Sequence, residues 1–204
     1  MFINYFRKRS IQFDEIEKYS NYGIFFISLL SIYWNLFGFD NYYHVFSTYF
    51  CYFMIDSLFL PYHKKDMILH HGMIMIFLLY SLNSTREFHN QIISVLIQCE
   101  YSSLFLSMMK FLKTLAKKKN YYFKTVYLIN NICFFVSFFY YRIYHLTYAF
   151  YFNPKTLKVF EEKNKNGMIL KLFIDSTILL FTILNYFWMY KICSLLIKRI
   201  KQNK

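Results

Sequence analysis

Two adjacent histidines, His70 and His71, sit in the run Lys64-Lys65-Asp66-Met67-Ile68-Leu69-His70-His71, which continues into a long apolar stretch to residue 82. An imidazole can abstract a proton from an amine or attack a carbonyl itself, and a nearby carboxylate stabilises the cation that results. Asp66 lies four residues before His70, on the same helical face, where it is expected to accept a ring N–H and fix the tautomer. At 1.5 Å per residue, His70 and His71 fall about 8 to 9 Å in from the start of their segment and Asp56 roughly 9 Å in from the end of the preceding one, so the three share a level. Glu100 falls roughly 15 Å in by the same rise, where it serves either as a neutral hydrogen-bonding group or as an acid/base. Arg142 and Asp175 both fall toward the opposite side and are expected to form a structural ion pair. A metal is not expected. Met67 and Ile68 occupy the positions where a histidine box would carry a further histidine, and no second box exists. The phosphate-loop, dinucleotide and nucleophile-elbow patterns are also absent.

The elements that must hold these residues read as membrane-spanning helices. The chain has 204 residues, of which 57% are hydrophobic and 24% aromatic, a composition outside the range of ordinary soluble domains. Six segments, near 22–39, 43–60, 66–82, 89–112, 125–147 and 168–190, approach the length of about 20 residues that a helix needs to cross a bilayer. Ionisable groups inside such segments are unfavourable enough that function is their default explanation. The expected fold is therefore an all-α membrane protein with six transmembrane helices. Residues 1–20 form a basic leader, 21–195 the transmembrane domain and 196–204 a basic tail. Residues 10–20 read equally as a short interfacial helix or a polar leader.

The net charge of +13 is distributed between apolar runs and not along one face, which argues against nucleic acid as the partner. Most of the 24 Lys and Arg collect on one side of the six segments, so the positive-inside rule places both termini in the cytosol. Lys64 and Lys65 place positive charge at the mouth of the third segment, suited to phosphate groups, and positive-inside topology explains them equally well. Asn83-Ser84-Thr85 is a formal glycosylation sequon in a turn expected to be too short for use. Cys51, Cys99, Cys133 and Cys193 are expected as buried packing residues without disulfides.

The stretches YFMIDSLF at 52–59, KDMILHH at 65–71, Glu100 with Ser102 and Ser103, FFVSFFYYRI at 134–143 and LNYFWMYKI at 184–192 together resemble the TLC domain. Ceramide synthases and translocating-chain-associated membrane proteins share that module. The resemblance spans about residues 20 to 195 and implies a multi-pass endoplasmic-reticulum protein whose helices, as a bundle or barrel, surround a lipid-sized cavity. It implies that His70 and His71 serve transfer of a fatty acyl group from acyl-CoA, as co-substrate, to a sphingoid base, with no bound cofactor. Membrane lipids are the implied partners, and a homodimer is an open option. Where ceramide synthases carry a further histidine and two aspartates, this chain has Gln98-Cys99-Glu100-Tyr101-Ser102-Ser103, similar to the non-synthase branch. Two functions follow as expectations: a lipid N-acyltransferase, or a non-catalytic lipid-binding regulator of membrane composition or trafficking.

Overall fold

Four glycines and two prolines leave the apolar runs almost without helix breakers, and the chain is helical nearly throughout. The computed structural model describes residues 13–38, 42–59, 65–82, 86–116, 121–154 and 168–202. Six helices fill them: α1 Phe13–Phe37, α2 Tyr42–Phe59, α3 Lys65–Leu82, α4 Arg86–Ala116, α5 Tyr121–Tyr151 and α6 Met168–Gln202. No strand occurs among the described residues. Within α5 the segment Phe138–His145 is a π-helix, marked by the Leu146 N–H donating to the Tyr141 carbonyl. Gly38 ends α1 with φ of 74°, the left-handed conformation that glycine adopts most readily after a helix. The leader to residue 12, Lys64, the sequon at 83–85, the lysines at 117–119 and most of the loop at 151–167 lie outside the described residues.

By length and composition, two helices among the described residues can cross a membrane: Tyr121–Tyr151 and Leu172–Lys198, with mean hydropathies of 1.3 and 1.5. α1 begins at Phe13, inside the stretch expected as leader, and α6 continues to Gln202, so both ends run past the expected segments.

α1 lies along α4, α4 pairs with α5 as an antiparallel hairpin, and α2 packs on α3. α6 closes the assembly against α3 and the π segment. The main core joins residues from all six helices, among them Ile27, Tyr49, Phe77, Ile97, Leu146 and Phe181. A second cluster, Phe134, Phe138 and Ile143, packs against Phe105, Met109 and Trp188. Trp188 also packs on the main core, so it is the hinge between the two. Outward faces are equally oily: Phe26, Ile55, Leu58, Ile132, Val136 and Leu180 are all exposed. Apolar surface on every side is what a helix in lipid presents, since lipid exerts no pressure to hide it.

Several polar side chains in this interior are satisfied by nearby carbonyls. Ser28 and Ser31 donate to the Ile24 and Ile27 carbonyls at 2.7 and 2.6 Å, and Thr182 donates to Ile178 at 2.9 Å. Asn130 crosses between helices, its Nδ2 donating to the Phe105 carbonyl at 2.9 Å. That bond pins the α4–α5 hairpin in register.

Candidate functional site

A cavity of about 320 Å³ opens between the helices, within the size range of roughly 300–1,000 Å³ that small-molecule sites occupy. Its wall is mostly apolar, with Phe53, Leu106, Phe134 and Ile192 among its residues. The polar groups on it are His70, His71, Glu100, Ser102, Ser103 and Arg142, with Lys191 toward the rim. Four of the five residues expected to act in catalysis, His70, His71, Asp56 and Glu100, are thus in or directly behind one wall. Asp66 is at the edge.

The two histidines are adjacent in sequence and unlike in environment. A helix turns about 100° per residue, so His71 faces α2 while His70 faces α6. His71 Nδ1 meets Ser57 Oγ at 3.2 Å, and its Nε2 lies 3.6 Å from Asp56 Oδ2. With the proton on Nε2, the carboxylate is faced by a donor and Nδ1 accepts from the serine hydroxyl, so one tautomer suits both neighbours. Phe53 packs on this ring at 5.0 Å between centroids.

His70 has no such anchorage. It is 3% exposed, stacked on Phe181 at 5.2 Å and 12°, and set against Trp188 at 4.9 Å. Among the described residues neither ring nitrogen has a hydrogen-bond partner, and Nδ1 is sealed in protein. Nε2 is the nitrogen left to meet a ligand.

The expected bond between Asp66 and His70 does not form. Asp66 Oδ2 instead accepts from Trp188 Nε1 at 3.0 Å and from Lys191 Nζ at 3.3 Å, clasping α3 to α6. Sharing a helical face brought the two residues to the same side, but α6 supplies stronger donors at the Asp66 end. Asp66 acts on His70 only through Trp188, whose ring it holds against the imidazole.

Arg142 also finds a different partner from the one expected. Its Nη2 donates to Glu100 Oε1 at 3.3 Å and to Ser103 Oγ at 2.9 Å, while Nε donates to Ser102 Oγ at 2.8 Å and the Cys99 carbonyl at 3.1 Å. Asp175 lies on the exposed side of α6, and the guanidinium pairs with Glu100, so the expected Arg142–Asp175 pair is replaced by Arg142–Glu100. The hairpin explains it. A short connection makes α4 and α5 antiparallel neighbours, which brings Arg142 alongside Glu100, whereas Asp175 belongs to α6. Glu100, left open from sequence as acid/base or neutral group, is the counter-ion of a buried arginine. In sequence the 98–103 stretch and Arg142 are unconnected, and hairpin register is the signal that joins them.

The TLC domain family model matches residues 17–194, most of the chain. The chain belongs to the TLC-domain family. TLC-domain proteins are membrane-associated and act in lipid metabolism or sensing. No curated protein and no solved structure matches the chain. Within this TLC domain the match covers α2 and α3 with the histidine pair, the α4–α5 hairpin with its arginine, and α6 as far as residue 194.

Lys65 stands exposed at the start of α3, and Lys191 beside Asp66 is a rim cation that the sequence reading did not single out. Trp188 was likewise missed as a site residue, although it touches His70, Asp66 and, at 6.0 Å, the Arg142 guanidinium. Its place in the LNYFWMYKI stretch was the available signal. Among the described residues no group of His, Cys, Asp or Glu is arranged to hold a metal ion.

Proposed function

We propose that the TLC domain spans an endoplasmic-reticulum membrane with all six helices, both termini cytosolic, and transfers an acyl group from acyl-CoA to the amine of a sphingoid base. The observation that carries this reading is His70: a buried imidazole with no hydrogen bond to any described residue, on the wall of an apolar cavity of about 320 Å³. In the proposed step the amine nitrogen attacks the thioester carbonyl carbon and the C–S bond breaks. His70 Nε2 takes the proton the nitrogen loses and returns it to the departing thiolate, giving amide and free coenzyme A. His71, held by Asp56 and Ser57, positions its neighbour and stays outside the proton path. Lys191 at the rim, with Lys65 exposed at the start of α3, supplies positive charge for the coenzyme phosphates.

A second reading, lipid binding without turnover, is favoured by one specific feature. A base at Nε2 requires the proton on Nδ1, and Nδ1 is buried without an acceptor. That arrangement favours the tautomer in which Nε2 donates to a ligand. Purified protein given acyl-CoA and a long-chain base separates the two. Acyl transfer predicts N-acyl product that falls to the uncatalysed background in His70→Ala and about tenfold or more in His71→Ala. Product formation undiminished in His70→Ala overturns it, and lipid copurifying with a protein that makes no product supports the second reading.

A further inference from the structure

Of the five N–H bonds a guanidinium offers, the Arg142 bonds described above use those on Nε and Nη2. Nη1 makes no hydrogen bond with any described residue. The side chain is only 4% exposed and lines the cavity that His70 lines. Nη1 is thus a strong donor on a nearly buried side chain, open to the cavity and left without a partner among the described residues. The backbone around it is also unusual: Arg142 sits inside the π-helical stretch Phe138–His145, and such segments are frequent at functional sites.

The chemistry of the missing partner follows from charge. Glu100 already neutralises the guanidinium at 3.3 Å, with both partners buried. A second full anion would be brought beside a carboxylate in an apolar chamber, where like charges repel strongly. A neutral acceptor meets no such repulsion. The rings of Phe138 at 5.7 Å and Trp188 at 6.0 Å from Cζ line the same cavity, so the surroundings of the donor are apolar and suit a chain with one oxygen on it. Trp188 also packs on His70, so the two groups with unfilled hydrogen-bonding capacity share one indole as a neighbour.

We infer that Arg142 Nη1 is the anchor for the carbonyl oxygen of an uncharged long-chain acyl compound, a thioester, ester or amide, and that the Glu100 carboxylate makes the site discriminate against the free fatty acid. Ser102 and Ser103 hold the guanidinium in place, leaving Nη1 turned to the ligand. The inference rests on the acyl-lipid reading of the cavity in either of its forms, catalytic or binding only. It adds a selectivity that neither form contains.

The test uses full-length protein in detergent with Trp34→Phe, which leaves Trp188 as the one indole reporter of the cavity. Three probes of equal chain length are titrated against its fluorescence: N-methylpalmitamide, palmitate and hexadecane. The amide is expected to bind at least tenfold tighter than palmitate or hexadecane. Glu100→Gln is expected to reverse the order of amide and palmitate, because the guanidinium then lacks its counter-ion. Arg142→Gln combined with Glu100→Gln, which removes both charges together, is expected to reduce the amide to the affinity of hexadecane. A carbonyl-13C amide gives a readout independent of any variant: its infrared stretch shifts to lower frequency on binding wild-type protein. An unshifted stretch, palmitate preferred by the wild type, or amide selectivity retained in the double variant overturns the inference. Turnover of acyl-CoA is measured on the same preparations. Amide-selective binding without turnover defeats acyl transfer alone, and turnover without carbonyl selectivity defeats the anchor alone.

Discussion

The TLC domain holds two Lys/Arg–carboxylate contacts of equal length and opposite setting. Lys191–Asp66 and Arg142–Glu100 both measure 3.3 Å. The first lies at the rim, its side chains 50% and 32% exposed; the second is buried at 5% and 7%. At the rim, water screens the attraction and solvates either group when it lets go, so the contact opens at little cost. In the interior neither ion can be left alone, and three further acceptors from α4 share the guanidinium. Distance therefore says nothing of role. The buried pair fixes the α4–α5 hairpin and shapes the cavity wall, while the rim pair is a clasp between α3 and α6 suited to opening for a ligand.

This contrast can be broken in the interior first, where the largest effect is expected. Arg142→Met strands Glu100 and should destabilise the fold by about 3–5 kcal/mol, whereas Arg142→Met with Glu100→Gln should recover most of that loss. Denaturation in mixed micelles measures both; equal stability of the single and double variants would remove the distinction between the pairs. An intermediate effect is expected at the tryptophan joining the two regions. Trp188→Phe retains a ring against His70 and removes the bond to Asp66, and because Asp66 is partly exposed the loss should be about 1 kcal/mol. A drop as large as that of Arg142→Met would mean the clasp is structural after all. The smallest effect belongs to Lys191→Ala, within about 0–1 kcal/mol of wild type and smaller still in high salt. Its consequence should be seen in ligand exchange instead, with faster release of a cavity-bound acyl probe in stopped-flow fluorescence.

The histidines carry the same lesson as the ion pairs. From sequence they form one doublet. In the fold His71 is braced by Asp56 and Ser57, as its shared depth with Asp56 suggested, while His70 loses the expected Asp66 and gains aromatic neighbours from α6. The charged residues in apolar runs were legible as site candidates because their unfavourable placement demands an explanation. Which pairs with which was not, since depth along one helix fixes a level and leaves the azimuth and the neighbour undetermined.

By itself, the sequence determined the all-helical class, the family and the residues of interest, for a physical reason: scarce Gly and Pro, long apolar runs and isolated ionisable groups are local properties of the chain. The tertiary structure decided the partners. Arg142 met Glu100 through hairpin antiparallelism, Asp66 met Trp188 and Lys191 through the closing of α6, and the π-helix in α5 appeared without a proline or glycine to announce it. Each of these depends on which faces of separate helices come together, and that is set by packing across the bundle as a whole.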